Sequence, residues 1–250
     1  SWDCFAFAPP AEEVKKTLFG GGGPPVYFQP EQARAIFSLL PQVQLPDAKS
    51  LTYRDQMFSD VDAFLLSESI HSARSMDALQ SIELDGNRIT TKGFTHLVTV
   101  LESVEIPNLT TLSLPKNKID DEGLRTLCVA LSQGKFDKLE VLMLQDNAFG
   151  DDGVKWLLEA VQKKGALPQI RTLLLGGKKS MSQDTTNRLA DIISAVEPVT
   201  TPAYGKATGA HKYWTSLNKL SVLDHAGTAV ADACLARDID FVHSDHAFQS

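Results

Sequence analysis

Three segments of this chain follow one another at a fixed interval of 30 residues and align without a gap. They start at Leu79, Leu109 and Leu139, and each reads LxxLxLxxNx followed by an apolar residue. A fourth copy starts at Ile170, 31 residues after the third, with Lys178 in the asparagine position. Weaker copies start 31 residues before the first and 47 residues after the fourth. This repeat predicts a solenoid, because one unit cannot bury its own apolar edge and several must stack.

The second half of each unit repeats as well. A glycine falls 14 residues after the start of the unit, and apolar residues follow at 18 and 22, a spacing that marks one face of a helix. The outer copies keep this register with Leu66 and Ile70, and then with Leu235 and Ile239. Leucines three and five residues after the start indicate a short strand. We predict an α/β solenoid of about six units, with parallel strands on the concave face and helices on the convex face.

An asparagine stands at the same position of the three strong units, where the chain leaves the strand: Asn87, Asn117 and Asn147. An amide side chain both donates and accepts hydrogen bonds, so we interpret these residues as a structural ladder that bonds backbone groups. Acidic runs at 120–122 and 151–152 stand just before a predicted helix, where carboxylates bond free N–H groups and suit the helix dipole. Paired acids can also serve acid–base chemistry or bind metal, but their place in the repeat accounts for them.

The repeat resembles the leucine-rich repeat superfamily, and within it the long-repeat class typified by ribonuclease inhibitor. The resemblance rests on LxxLxLxxNxI followed by a DEGxxxL helix, as in residues 119–124 and 149–154, and covers residues 48–240. It implies a horseshoe-shaped fold and a function of binding another protein. Relatives in this superfamily are inhibitors, GTPase activators, immune sensors, actin-filament cappers, and subunits of ciliary and mitochondrial assemblies.

The two ends of the chain lie outside the regular units. Residues 1–47 are predicted to be an N-terminal extension that contains a capping helix at 30–40, and residues 241–250 a C-terminal tail. Four apolar residues share one face of the capping helix and would cover the open edge of the first unit: Ala33, Ile36, Phe37 and Leu40.

An insertion separates the last two units, since the copies at Ile170 and Leu217 are 47 residues apart instead of 30. We place it at 197–214. Its aromatic and basic side chains suit a partner contact, and the alternative is a passive loop in which the tryptophan covers the last core. The candidate contact residues are Tyr204, His211, Tyr213 and Trp214.

The charge balance bears on partners and compartment. Lys plus Arg number 24 against 31 Asp plus Glu, and an acidic chain with no basic block is a poor ligand for a phosphate backbone, so we expect no nucleic acid. No apolar run reaches the roughly 18–20 residues of a transmembrane segment. The three cysteines are too few and too scattered for a disulfide framework. We expect an intracellular protein, cytoplasmic or organellar, and a mitochondrial one if the missing initial Met reflects a removed targeting peptide.

Motifs for catalysis or cofactors do not emerge. The segment 176–180 reads GGKKS, but Thr172 stands where a phosphate loop needs its first glycine. The run 238–246 holds Asp and His at short spacing, and the end of the last helix followed by a tail is preferred to a metal site. Cys128 and Cys234 lie on helical segments as buried packing residues. We expect no catalytic residue, no cofactor and no metal ion.

Strand positions between the inward leucines should face the concave surface. Polar residues dominate the early units there, and apolar ones form a stripe in the later units, which usually marks an interface when exposed. The predicted partner-binding residues are Glu83, Asp85, Ser113, Pro115, Val141, Met143, Gln145, Leu174 and Leu223.

The sequence thus favours a non-catalytic protein–protein interaction module. By analogy with the superfamily, we expect a scaffold or accessory subunit of a multi-subunit assembly, organellar or ciliary, that binds one or more proteins through the concave face and the flanking extensions. The alternative is a regulator of a GTPase or another enzyme, an activator or an inhibitor, acting through polar strand-to-helix loops at 87–88 and 116–118. Nothing in the sequence distinguishes Arg88 as a catalytic supplement.

Overall fold

The computed structural model describes residues 48–177, 179–195, 212–222 and 227–242, and in this part of the chain strands and helices alternate. The strands are β1 (Ser50–Thr52), β2 (Ser81–Glu83), β3 (Thr111–Ser113), β4 (Val141–Met143), β5 (Thr172–Leu174), β6 (Lys219–Ser221) and β7 (Asp240–Phe241). The helices are α1 (Asp60–Ala73), α2 (Thr91–Ser103), α3 (Asp121–Ser132), α4 (Asp151–Lys164), α5 (Gln183–Ser194) and α6 (Gly227–Ala236). The predicted α/β solenoid of about six units is confirmed.

The seven strands form one parallel sheet in which each strand pairs with the next in chain order. The register holds one inward-pointing residue of every strand in a continuous row: Leu51, Ile82, Leu112, Leu142, Leu173, Leu220 and Phe241. The six aliphatic members are fully buried. Strands of two or three residues contribute few ladder hydrogen bonds, so packing of this row against the helices stabilises the sheet.

A chain of carboxylates links each helix start to the unit before it. Asp121, the first residue of α3, accepts hydrogen bonds from the backbone N–H groups of Gly150 at 2.6 Å and Gly153 at 2.9 Å. Asp60 likewise accepts from the N–H of Gly93 at 3.2 Å. A Cβ atom at Gly153 would lie 2.8 Å from Asp121 Oδ1, and one at Gly93 2.6 Å from Asp60 Oδ1. The repeated glycine therefore leaves room for the carboxylate of the preceding unit.

The acidic runs thus have two structural tasks. Asp120 accepts from the N–H groups of Glu122 and Gly123 at the start of its own helix, as the sequence predicts. Asp121 and Asp151 instead bond across to the following unit, which the sequence analysis did not foresee. Because helix starts leave N–H groups unpaired, each such bond supplies an acceptor to the next helix start.

Asp151 makes the stability of the fold depend on pH. Partial burial raises the pKa of Asp151, but hydrogen bonds from Lys155, the Ser182 N–H and Thr185 outweigh it and lower the pKa to about 2. A carboxyl group with a lowered folded-state pKa contributes stability above its ordinary pKa near 3.8 and loses it as the pH falls towards 2. We therefore expect Asp151→Asn to be less stable than the wild type at pH 7 and to approach it at pH 2, as measured by urea unfolding across this range.

The matched control for this experiment is Asp152→Asn. Its neighbouring carboxylate is 72% exposed and makes one long ion pair, at 3.5 Å to Lys155. The stability difference from the wild type should be small and almost constant with pH. A difference that is constant for Asp151→Asn as well would contradict the assignment.

A second apolar column lies three residues before the start of each unit. The backbone carbonyl of each member accepts a hydrogen bond from the N–H of the unit's first residue. The members are Met76, Ile106, Phe136, Leu167 and Trp214, all at most 5% exposed. Trp214 therefore belongs to the repeating core, and its assignment to a contact-making insertion is wrong. The reading in which the tryptophan covers the last core is the correct one.

Hydrogen bonds close the base of the insertion. The N–H of Lys212 donates to the carbonyl of Ala195 at 2.9 Å. The Arg237 guanidinium donates to the carbonyls of Ile193 at 2.9 Å and Trp214 at 2.7 Å. The chain on either side of residues 196–211 is thereby held together, and those residues, including Tyr204 and His211, lie outside the described part.

The last unit departs from the predicted register. Strand β7 starts 21 residues after β6, whereas neighbouring central strands start 30 or 31 residues apart. In this short unit Val230 and Cys234 are the buried helix residues, Ile239 is 5% exposed, and Leu235 is 80% exposed. The expectation that Leu235 points inwards is therefore wrong. Part of the run considered for metal binding forms β7.

Across the described ranges, no helix is long and apolar enough to cross a membrane. The predicted capping helix at 30–40 and most of the predicted tail lie outside these ranges.

Candidate protein-binding face

The side of the sheet away from the helices is the candidate binding face. Parallel strands lie about 4.8 Å apart, whereas packed helices need about 8–10 Å, so stacking units curves the sheet inwards and places its open side on the concave face. We define the concave face by three rows that run across the strands. They are Ser50, Ser81, Thr111, Val141, Thr172 and Lys219; Thr52, Glu83, Ser113, Met143, Leu174 and Ser221; and Arg54, Asp85, Pro115 and Gln145.

An ion-pair cluster occupies the early half of this face. The Arg54 guanidinium lies 2.6 Å from a Glu83 carboxylate oxygen and 3.3 Å from one of Asp85. The hydroxyl of Ser113 donates to Asp85 Oδ1 at 2.7 Å. Side chains of Glu83 and Asp85 remain 21% and 22% exposed. Two carboxylates share one cation, so this end of the face keeps a net negative charge in a fixed geometry.

Partly exposed apolar side chains follow in the next units. Val141 and Met143 alternate on β4 and are both accessible, as expected. Pro115 and Leu174 are buried, Leu174 at 8% exposure, so the predicted exposed stripe is wrong at these two positions. Leu174 lies in register between Met143 on β4 and Ser221 on β6, which flank its side chain.

The remaining predicted contact residues differ in accessibility. Ser113 and Gln145 are 2% and 8% exposed, so each offers little surface. Tyr213 is half-buried with the Lys212 ammonium 5.2 Å from its ring centroid, and it packs against the core beside the insertion. Leu223 lies outside the described residues. Glu83, Asp85, Val141 and Met143 are therefore the accessible residues of the predicted concave set.

The asparagines that follow the strands join successive units. Asn87 Oδ1 accepts from the N–H groups of Gln56 and Phe58, each at 3.0 Å, in the preceding unit. Its Nδ2 donates to the carbonyls of Tyr53 at 2.7 Å and Leu84 at 2.9 Å. Asn117 and Asn147 repeat the arrangement. This ladder fixes the spacing of the strands and hence the geometry of the concave face.

A comparison with known protein families agrees with this architecture. A model described as "Leucine Rich repeat" matches residues 105–128 and 138–157, which cover parts of two successive units. The chain is a leucine-rich repeat protein.

Distant likenesses to solved structures accompany this match. The structure of leiomodin-1 actin-binding site 2 is 12% identical and aligns over 62% of this chain and 83% of that one, with a TM-score of 0.47. The tropomodulin C-terminal domain of Caenorhabditis elegans is 16% identical and aligns over 64% of this chain and 89% of that one, also with a TM-score of 0.47. No curated protein sequence matches the chain. Leucine-rich repeat proteins generally bind other proteins and generally have no catalytic role.

The leucine-rich repeat protein also exposes large apolar side chains away from the concave face, which the sequence analysis missed. They are Met57, Val61, Phe64, Val129 and Leu235, each at least 47% exposed. The Phe64 ring stacks on His96 with centroids 4.4 Å apart. The repeat pattern identifies residues that must point inwards but says little about outward positions, so only apolar residues at outward helix positions could have indicated this surface.

The helical cysteines of the leucine-rich repeat protein are thiols held away from water. Burial raises the pKa of Cys128 to about 12 and that of Cys234 to about 11. A neutral buried thiol is a poor nucleophile, so both side chains act as small packing residues. Within the described residues, no group of three or more His, Cys, Asp or Glu side chains is placed to hold a metal ion.

Proposed function

We propose that this leucine-rich repeat protein is a non-catalytic scaffold or accessory subunit that binds a protein partner through its concave face. The observation that carries the proposal is the continuity of the face, where the cluster of Arg54, Glu83 and Asp85 stands two strands from the accessible Val141 and Met143. Such a combination of a fixed charge and an adaptable apolar side chain suits recognition of another protein surface.

Rigidity of the face supports the same function. The partner-facing side chains stand on strands whose spacing is set by the asparagine ladder, so binding orders little of the protein and costs less conformational entropy. The negative end at Glu83 and Asp85 favours a partner with a basic side chain there. Met143 then receives an apolar side chain, and the insertion residues Tyr204 and His211 and the flanking extensions are further proposed contacts.

A charge placed at Met143 should separate binding from folding. We expect Met143→Asp to reduce capture of the partner from native extract by about tenfold or more, since a carboxylate in the middle of an apolar contact costs more than about 1.4 kcal/mol of affinity. The measurement is quantitative mass spectrometry of proteins that co-purify with the full chain. Size-exclusion chromatography of the same extract shows whether the protein migrates within a large particle.

The matched control is Val129→Asp, which places the same charge on helix α3, at a side chain 51% exposed. Proteins that are lost with Met143→Asp and retained with Val129→Asp are the concave-face partners. If both variants recover the same proteins in the same amounts as the wild type, the concave face is not the binding surface.

A further inference from the structure

The two ends of the described sheet differ in how well they are covered. Strand β1 is the first edge strand, yet its inward residue Leu51 is fully buried and Tyr53, just beyond the strand, is 5% exposed. Burial raises the pKa of the Tyr53 hydroxyl, which has lost its contact with water. At the other edge strand, β7, the inward residue Phe241 is partly exposed. An uncovered edge should look like β7, so β1 is covered.

The terminal helices show the same contrast. In α1 the inward side chains of Ala63, Leu66 and Ile70 are all fully buried, although no described unit precedes them. In α6 Leu235 stands in the last turn, where α2 and α3 carry the buried Leu101 and Leu131, and is 80% exposed. Each unit of a solenoid covers its neighbours, so an end unit with a buried core has an additional layer against it.

We infer that residues 30–40 form this layer, as a helix packed on the open side of β1 and α1. The chain leads directly to this end, since Ala48 is itself 3% exposed and 47 residues come before it. The apolar residues Ala33, Ile36, Phe37 and Leu40 follow the i, i+3, i+4, i+7 spacing of one helix face. Pro30 suits the first position of such a helix.

Chain length and proximity favour this occupant over a separate molecule. The eight residues from Leu40 to Ala48 can span up to about 26 Å, well beyond the roughly 10 Å between packed helices. A segment tethered so closely has an effective concentration on the order of millimolar, so it competes strongly with any second copy or partner for the same face. The layer closes one end of the protein and leaves the α6–β7 end open.

Hydrogen exchange of the full chain tests the inference. Phe37→Asp should speed amide exchange in Ser50–Thr52 and Asp60–Ala73 by about tenfold or more, because the end unit loses its cover and opens locally. Exchange in the distant helix Asp151–Lys164 should be nearly unchanged, since solenoid units are coupled mainly to their neighbours. The matched control is Ser38→Asp, which adds the same charge to the opposite face of the helix and should leave exchange at the wild-type rate.

A milder variant, Phe37→Ala, keeps the test decisive if Phe37→Asp unfolds the whole chain, and it should show the same local acceleration at smaller amplitude. Wild-type exchange rates at β1 and α1 in both Phe37 variants would overturn the inference. Equal acceleration in Ser38→Asp would also overturn it, because the assigned face would be wrong. If tenfold dilution of the wild type speeds exchange at β1 and α1, a second copy covers this end instead.

Discussion

Replacing Asn117 by alanine should lower the unfolding free energy by about 3 kcal/mol or more, one of the largest effects of any single polar residue here. Asn117 is 7% exposed, and its Oδ1 accepts from the Ile89 N–H at 3.1 Å. Its Nδ2 donates to the carbonyls of Leu84 at 2.9 Å and Leu114 at 3.2 Å. Truncation leaves backbone groups of two units buried without partners, and each such group costs about 1–3 kcal/mol.

The expected shift in thermal midpoint for a domain of this size is about 6–12 °C, measured by circular dichroism. Asn117→Asp should be no better than alanine, because the second carboxylate oxygen would face the carbonyls of Leu84 and Leu114. The control is Asn108→Ala, since Asn108 also makes two hydrogen bonds, to the Asp77 carbonyl and from Lys138, but at an exposed position. It should change the unfolding free energy by less than about 0.5 kcal/mol. Similar losses for Asn108 and Asn117 would contradict the ladder.

The ladder also shows why so much of this fold can be predicted from the sequence. Inward leucines, the glycine of the helix start and the ladder asparagines recur at the same offset because every unit makes the same contacts with its neighbours. A periodic contact produces a periodic residue choice. The middle units, which have equal neighbours on both sides, are therefore the ones whose strands and helices the spacing predicts most closely.

Prediction fails where the period breaks or where residue type does not report depth. Trp214 occupies the column of Met76, Ile106 and Phe136, but four different side chains fill that column, so only the distance to the next unit's first leucine identifies it. Leu235 is displaced because the last unit is shorter. Within the acidic runs, spacing indicates a helix start but does not distinguish a bond to the same helix from a bond to the next.

The concave face poses a different difficulty. Alternation along a strand predicts which side of the sheet a residue occupies, and it predicts this correctly for β4 and β5. How deep a side chain lies on that side depends on the neighbouring strands and on whatever else covers the face, and a single strand's sequence contains neither. Met143 and Leu174 illustrate this, since they pair in register on adjoining strands yet only Met143 is accessible.

This pair supplies the second large prediction. Leu174→Asp should lower the unfolding free energy by about 3 kcal/mol or more, because it places a carboxylate at a position that is 8% exposed. Met143→Asp introduces the same charge one strand away and should cost less than about 1 kcal/mol, because its carboxylate can reach water. Urea unfolding of both variants at pH 7 measures the difference. An equal loss for both would mean that Met143 is as buried as Leu174 and is unsuited to contact a partner. Stability close to the wild type for both would mean that Leu174 is accessible too, and the apolar stripe of the concave face would then run from β4 onto β5.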